Sequence, residues 1–145
     1  MQDNMIKAYT DGGCSPNPGK GAWAFAINSQ KFDSGFKNHS TNNEMEIKAI
    51  IECIKYVRHF FGDEEIIIYS DSKYCVNGFS SWMHGWFAKG WKKPGGPIKN
   101  LELWKELYSA SYKVKLKWVK GHSGNPMNDF VDNLCSEQLL KNTYA

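Results

Sequence analysis

A mixed α/β sheet covered by helices is the fold class that the order and period of the apolar segments predict for this chain of 145 residues. Three strand-like segments come first, and a long segment with helical spacing then leads to an isoleucine-rich strand. Helices, one more strand and a final helix follow. We expect one domain over residues 1–145, because the length suits a single core and no linker or internal repeat interrupts the chain.

The five predicted strands are short segments that alternate apolar and polar side chains or carry a β-branched apolar run. They cover residues 5–10, 21–28, 31–37, 64–70 and 114–119. A loop rich in glycine and proline is predicted over residues 11–19, and a short turn makes the second and third strands a hairpin or meander. The run Ile66-Ile67-Ile68 is typical of a buried strand, which suits one that lies parallel to the first.

Helices are predicted where capping residues precede apolar side chains at helical spacing. The first begins at a capping box, Thr41 with Glu44 three residues later, and ends at Gly62. The next two are predicted over residues 72–82 and 100–111. The last opens at Asn125, with a proline in its first turn.

Positive charge is concentrated in one segment, although the net charge is only +3. No acid occurs between Asp71 and Glu102, and three tryptophans are interleaved with lysines there. The residues concerned are Lys73, Trp82, Trp86, Lys89, Trp91, Lys92, Lys93 and Lys99. A run of charge is most often a solvated face, but the tryptophans favour a surface that binds a nucleic-acid backbone.

The cysteines and the hydropathy of the chain predict a cytoplasmic protein. Cys14, Cys53, Cys75 and Cys135 form no C-x-x-C pair, so free and mostly buried thiols are expected rather than a zinc site. No segment is long and apolar enough to span a membrane, and the N-terminus lacks an apolar signal core. We therefore expect no membrane partner.

Two predicted strands end in the same way, with a carboxylate. Asp11 follows Ala8-Tyr-Thr, and Asp71 follows Ile68-Tyr-Ser. Open α/β sheets bind ligands at the carboxyl ends of their strands, where these two acids would lie side by side if the strands are neighbours. Adjacent carboxylates repel unless a cation joins them, and their hard oxygens favour Mg²⁺ or Mn²⁺. Either acid alone would be an ordinary turn residue, and the matched pair favours a metal site.

Further polar residues are candidates for the same site. Glu46 is predicted in the first turn of the capped helix, and Asp132 lies early in the last helix, where Asp129, one turn before it, is the alternative candidate. Each acid on its own could simply be stabilised by the helix dipole near the N-terminus of its helix. Four carboxylates together could instead hold two metals for attack of water on a phosphodiester. His122, in a Gly-His-Ser-Gly turn, would relay protons beside them.

The motifs that carry these residues resemble those of type 1 ribonuclease H, in the family's order and over essentially the whole chain. They are Tyr9-Thr-Asp-Gly-Gly-Cys-Ser-Pro-Asn-Pro-Gly19, Thr41-Asn-Asn-Glu-Met-Glu46, Tyr69-Ser-Asp-Ser72, and Val119-Lys-Gly-His-Ser-Gly124 with Asp132 beyond it. The resemblance implies a ribonuclease H-like fold: a five-stranded mixed sheet, its first three strands antiparallel, with helices on both faces. It implies Asp11, Glu46, Asp71 and Asp132 as ligands of two Mg²⁺ ions, with Mn²⁺ as a substitute, and His122 as the catalytic histidine.

The resemblance also implies where an RNA–DNA hybrid would bind. Cys14, Asn17, Asn42 and Asn43 match positions that read the minor groove and the RNA 2′-hydroxyls. Thr41 and Asn100 match a pocket for a phosphate of the DNA strand, and Tyr74 and Trp86 match a channel lined by aromatic side chains along that strand.

The segment from Trp82 to Lys93, which includes Trp86, Lys89, Trp91 and Lys92, resembles the basic protrusion of cellular family members. Two features depart from the family pattern. Lys73 stands where bacterial members often carry glutamine, and the tip of the protrusion over residues 92–96 is short.

The function that the resemblance implies is hydrolysis of the RNA strand of RNA–DNA hybrids, leaving 5′-phosphate and 3′-hydroxyl ends, by a monomer. One alternative is another nuclease or strand-transfer enzyme of the same fold, against which the asparagine-rich minor-groove positions speak. The other is a hybrid-binding module without catalysis. The four acids speak against that module, because clustered carboxylates do not help to bind a polyanion.

Overall fold

The computed structural model describes residues 5–143, so the first four residues of the segment considered for a signal core lie outside the described part. Five strands form one mixed sheet in the order β3-β2-β1-β4-β5. They are β1 (Ile6–Cys14), β2 (Gly19–Asn28), β3 (Lys31–Ser40), β4 (Ile66–Ser70) and β5 (Val114–Trp118). The first three strands pair antiparallel, whereas β4 pairs parallel with both β1 and β5. This topology confirms the predicted sheet.

The predicted loop over residues 11–19 is wrong, because most of it belongs to strands. β1 continues through Asp11 and two glycines to Cys14, whose Cα pairs with Gly21 on β2. Only residues 15–18 lie between the two strands. The glycines indicated a turn from sequence alone, but the ladder of β2 holds them in extended conformation. Asp11 therefore lies within a paired strand rather than on a loop.

Two of the helices begin as their caps predicted. In α1 (Asn42–Phe61), the Thr41 hydroxyl accepts a hydrogen bond from the Glu44 backbone N–H at 3.1 Å. In α5 (Pro126–Lys141), the Asn125 side-chain oxygen accepts from the backbone N–H groups of the second and third helical residues at 3.0 and 3.1 Å. Both caps satisfy N–H groups that a helix cannot pair internally.

The helix that was predicted to end at Trp82 is longer. It comprises α2 (Lys73–Asn77), a π-helical turn (Gly78–Trp82) and α3 (Met83–Ala88). A Cβ at Gly78 would lie 2.2 Å from the buried ring of Trp104, so this glycine admits the indole. Met83 then buries its side chain completely, which favours continuation of the helix beyond residue 82.

Helices cover both faces of the sheet, as predicted. The larger core lies between one face and α1, α2, α3 and α4 (Leu101–Ser109), and it is built mainly from isoleucines and the ring of Trp104. On the other face, Val131, Leu134 and Cys135 of α5 pack on three alanines of β2. No helix among residues 5–143 has the length and apolar character needed to cross a bilayer.

Candidate active site

Three carboxylates from three elements meet at the carboxyl ends of β1 and β4. Thr10 and Ser70 are partners in the parallel register, so Asp11 and Asp71 follow at adjacent positions. Glu46 comes from the second turn of α1 and not, as predicted, from the first, because the helix begins at Asn42. One carboxylate oxygen from each of these acids lies within 4.8 Å of the others. The sheet topology therefore brings together three acids that are far apart in the sequence.

Gly12 is the residue that allows α1 to come this close to β1. A Cβ on Gly12 would lie 2.3 Å from the carbonyl carbon of Met45 and 2.5 Å from the backbone nitrogen of Glu46. Only a residue without a side chain fits beside that backbone. The Gly12 backbone also lowers the pKa values of the Asp11 and Glu46 carboxyls, against the larger opposing effect of burial. The strand and the helix are thus joined directly at the candidate site.

The acidic cavity that holds the three carboxylates has a volume of about 280 Å³ and is also lined by Asp132 and His122. The Asp132 side chain is close enough to the Asp11 carboxyl for its charge to raise the pKa of that group. One turn later on α5, the Cys135 thiol donates to the Asp11 carbonyl oxygen at 3.5 Å. His122 is exposed and has a positive φ of 53°. Asp129, which the sequence offered as the alternative to Asp132, does not line this cavity.

Burial and mutual repulsion make the charged forms of these acids unfavourable. Burial is the main cause that raises the pKa of Asp11 to about 8, and the charges of Asp71 and Asp132 add to it. Burial also raises the pKa of Glu46 well above its usual value, with further contributions from Asp11 and Asp71. Burial is also the main cause that raises the pKa of Asp71. Without a cation, this cluster holds protons near neutral pH.

A divalent cation fits this cluster. Oxygen Oε1 of Glu46 is buried and has no hydrogen-bond partner, which is costly unless a ligand completes it. The neighbouring donors are carboxylate oxygens of Asp11 and Asp71, the hard ligands that Mg²⁺ and similar ions prefer. A cation would replace the protons and remove the repulsion. The buried acidic cluster is therefore a candidate divalent-metal centre.

The raised pKa values predict how the stability of the metal-free protein depends on pH. Because the folded-state pKa values exceed the unfolded ones, the stabilisation from protonation is complete below about pH 4 and is lost as pH rises through about 8. In EDTA, the melting temperature should fall by several degrees between pH 5 and pH 8. Asp11→Asn should show a flatter profile, and Mg²⁺ should restore the wild-type value at pH 8. An equally steep profile for Asp11→Asn would contradict this origin.

Next to the carboxylates, the residues predicted to read the minor groove are linked to one another. The Asn42 side-chain oxygen accepts a hydrogen bond from the Cys14 backbone N–H at 2.7 Å, and the Asn17 side-chain oxygen accepts from the Asn42 backbone N–H at 3.1 Å. Asn43 is exposed at the start of α1. Thr41 uses its hydroxyl to cap the helix, as described above.

A second groove, of about 560 Å³, lies along the α2–α3 helix and the segment that follows it. Tyr74, Trp82, Trp86, Lys89 and Lys92 line it. The groove is larger than the acidic cavity, but it holds no carboxylate, so it offers binding rather than hydrolytic chemistry. Its floor is held by aromatic contacts around the buried Trp104.

Two further residues that were predicted to contact the substrate, Trp91 and Asn100, do not line this groove and have partners within the protein. Trp91 packs edge-on against Phe87 and Tyr108 and is not part of the groove lining. Asn100 precedes α4 in left-handed conformation, and its amide donates to the Tyr74 hydroxyl at 3.3 Å. The structure therefore brings Asn100 to Tyr74.

Some residues at the site were missed by the sequence analysis. Trp118 was predicted only as part of the last strand. Its indole N–H donates a hydrogen bond to the Asp71 carbonyl oxygen at 3.2 Å. A Cβ on Gly121 would lie 2.8 Å from an Asp71 carboxylate oxygen, so this glycine leaves room for that side chain. The only sequence signal for Gly121 was its position beside His122.

Comparisons with known proteins agree with this geometry. The family model described as RNase H matches residues 3–139. A curated protein named Ribonuclease H, from Thermoanaerobacter sp. (strain X514), is 40% identical to this chain in an alignment 147 positions long. The alignment covers 97% of this chain and 93% of the relative.

Solved structures show the same fold. LC9-RNase H1, described as a type 1 RNase H with the type 2 active-site motif, matches with a TM-score of 0.78 and 25% identity, over 94% of this chain and 72% of that one. LC11-RNase H1, solved in complex with an RNA/DNA hybrid, matches with a TM-score of 0.70 and 22% identity, over 93% of this chain and 96% of that one.

Proposed function

The chain belongs to the ribonuclease H family as a type 1 member that cleaves the RNA strand of RNA–DNA hybrids, and from this premise we propose how its residues do so. The observation that carries the proposal is the buried cluster of Asp11, Glu46 and Asp71, with one oxygen of Glu46 left without a partner. Such a cluster suits a divalent cation, and a cation suits hydrolysis of a phosphodiester.

Asp11, Glu46, Asp71 and Asp132 would hold two Mg²⁺ ions, with Mn²⁺ as a substitute. When bound, a pair of such ions supplies activation of the attacking water and stabilisation of charge on the leaving 3′-oxygen, which gives 5′-phosphate and 3′-hydroxyl ends. The protein's own contribution is preorganisation: Gly12 lets α1 lie directly against β1, and α5 places Asp132 in the same cavity as Asp11.

His122 would handle the proton of the reaction. It stands at the rim of the acidic cavity and is exposed to solvent, so its imidazole can exchange protons with water. From that position its ring nitrogen would accept a proton from the attacking water or give one to the leaving oxygen.

The hybrid would lie across the acidic cavity and the aromatic groove. Cys14 and Asn42 line the cavity, and Asn17 accepts a hydrogen bond from Asn42; with Asn43, these residues would contact the minor groove and 2′-hydroxyls of the RNA strand. Thr41 and Asn100 would bind a phosphate of the DNA strand. Tyr74, Trp82 and Trp86, with Lys89 and Lys92, would follow the DNA backbone, and Trp91 would support this surface from behind.

Substituting the groove lysines should weaken substrate binding without slowing the chemical step. We expect Lys89→Gln/Lys92→Gln to raise KM, to leave kcat unchanged, and to reduce the slope of log KM against log salt by roughly 1.8, since each phosphate contact contributes about 0.9. Steady-state cleavage across a salt series measures this. Lys141→Gln, at the end of α5 and outside the groove, is the matched control. A fall in kcat with an unchanged slope would contradict a backbone contact.

The experiment that tests the function uses a labelled RNA–DNA hybrid beside matched RNA–RNA and DNA–DNA duplexes, in Mg²⁺ and in EDTA. The proposal requires that only the RNA strand of the hybrid is cut, and only with metal. Cleavage of the DNA duplex would instead indicate a different nuclease or strand-transfer enzyme of this fold. Binding of the hybrid without cleavage under either condition would indicate a binding module.

We further propose that the protein acts as a monomer in the cytoplasm. All four cysteines are free thiols and three of them are buried, which suits a reducing compartment. The catalytic and binding residues proposed above all come from one chain, so the site does not need a second copy.

A further inference from the structure

An exposed tryptophan connects the end of β4 with Lys73, the lysine two residues after Asp71. Trp118 is the last residue of β5 and pairs in parallel register with Ser70, the residue before Asp71. Its indole N–H donates to the Asp71 carbonyl oxygen at 3.2 Å. The ammonium nitrogen of Lys73 lies 4.8 Å from the centre of the same indole ring. We refer to these two side chains as the Lys73–Trp118 pair.

The contacts of this pair hold a positive charge at a defined place. The hydrogen bond to Asp71 fixes the plane of the indole, although 44% of Trp118 remains exposed to solvent. The ring then attracts the lysine ammonium through its negative face. Among residues 5–143, no carboxylate forms an ion pair with Lys73. The charge of Lys73 is therefore available to an anion at the edge of the catalytic carboxylates.

We propose that the Lys73–Trp118 pair binds a backbone phosphate of the RNA strand next to the cleaved bond. This inference rests on the proposed function, because Lys73 lies two residues from Asp71 and the strand at the carboxylates is the RNA. An ammonium is a compact point charge without an acceptor, which suits a phosphate better than a base edge. Trp118 orients the lysine before the substrate arrives, so less side-chain entropy is lost on binding.

The charge of Lys73 is tested by a pair of substitutions. Lys73→Gln keeps a hydrogen-bonding side chain but removes the charge. It should raise KM about 3- to 10-fold, leave kcat unchanged, and reduce the slope of log KM against log salt by about 0.9. Lys73→Arg keeps the charge and should retain the wild-type slope. If Lys73→Gln retains the wild-type KM and slope, the Lys73 side chain contacts either a base edge in the minor groove of the hybrid or no part of the substrate. The proposal is then overturned.

The role of the ring is tested by Trp118→Leu alone and combined with Lys73→Gln. Alone, it should raise KM about 2- to 5-fold, the range that a cation–π contact at an exposed site supports. In the Lys73→Gln background it should add no further change, because Trp118 acts through the lysine. If Trp118→Leu lowers kcat equally in both backgrounds, the indole acts on Asp71 and not on the phosphate, and the proposal is overturned.

Lys117→Gln is the matched control. Lys117 is also an exposed lysine of β5, but neighbouring strand residues point to opposite faces, so its charge lies away from the indole ring. It should change neither KM nor the salt slope. Binding of intact hybrid in EDTA is the parallel readout, with the same comparison of slopes. If the wild type binds but never cuts, the proposed function fails, and the binding slopes still decide whether the pair holds a phosphate.

Discussion

Cleavage of the RNA strand should fall at least ~10³-fold when Asp11 is replaced by asparagine, whereas affinity for the hybrid should stay close to the wild-type value. Asparagine has the same shape but no charge, so the cluster loses a buried carboxylate, and with it about 4 kcal/mol of transition-state stabilisation. The hybrid is held by other residues, so its dissociation constant reports on a surface that this change leaves intact. Single-turnover cleavage and equilibrium binding in the same buffer separate the two effects.

The same substitution should also stabilise the metal-free protein above about pH 8, where the Asp11 carboxyl would otherwise be charged and would repel Asp71 and Asp132. Asp129→Asn is the control, since Asp129 lies one turn from Asp132 on α5 but does not line the acidic cavity. It should cleave at the wild-type rate. Near-normal cleavage by Asp11→Asn, or an equal loss in Asp129→Asn, would contradict the assignment of the carboxylates.

The parts of the fold that could be predicted from sequence are those specified by neighbouring residues. Thr41 and Glu44 lie three residues apart, and Asn125 precedes its proline directly, so each cap is a local signal. The pairing of Asp11 with Asp71 was also within reach, because two strands with the same ending become neighbours in a parallel pair. In these cases the residues that cause the structure lie next to one another in the sequence or repeat the same motif, so the sequence pattern alone reveals them.

The wrong predictions concern glycines whose partners are distant in sequence. Gly12 indicated a turn, but it lies in a strand that pairs with β2, and its missing side chain lets the backbone of α1 pass against it. Gly78 lies within a helix that was predicted to end too early, since the reason for that glycine is the ring of Trp104. In a local sequence pattern, a glycine is most simply interpreted as a turn or as the end of an element. Only the tertiary structure shows whether it instead allows another backbone or a side chain to approach closely.

The contact of Trp118 with Asp71 joins residues 47 positions apart and was invisible for the same reason. In the sequence, Trp118 fitted the alternation of β5, and this period accounted for it fully. The choice between Asp129 and Asp132 was likewise open on helical spacing alone, because both acids lie early in the same helix. The acidic cavity distinguishes them, because Asp132 lines it and Asp129 does not.

Gly12→Ala is expected to damage both folding and catalysis more than any surface change. The new Cβ would lie 2.3 Å from the carbonyl carbon of Met45. The Cβ is fixed to the backbone of β1 and the carbonyl carbon belongs to the backbone of α1, so neither can move without its element. Overpacking against rigid backbone should cost about 3 kcal/mol or more, with a fall in melting temperature of the order of 10 °C. Thermal unfolding in EDTA and in Mg²⁺ measures this loss.

Activity should fall further than stability explains, because the strand and helix can separate only by displacing Glu46. A shift of about 1 Å in a positioned group can cost about 10²-fold in rate, so cleavage should drop by that factor even at temperatures where the variant is folded. Gly13→Ala is the matched control. Its Cβ would have one neighbour, the Asn42 side-chain oxygen at 3.6 Å, which is an ordinary contact. If both variants cleave alike, the approach of α1 to β1 does not position Glu46; if only Gly12→Ala loses activity, one missing side chain sets the geometry of the carboxylates.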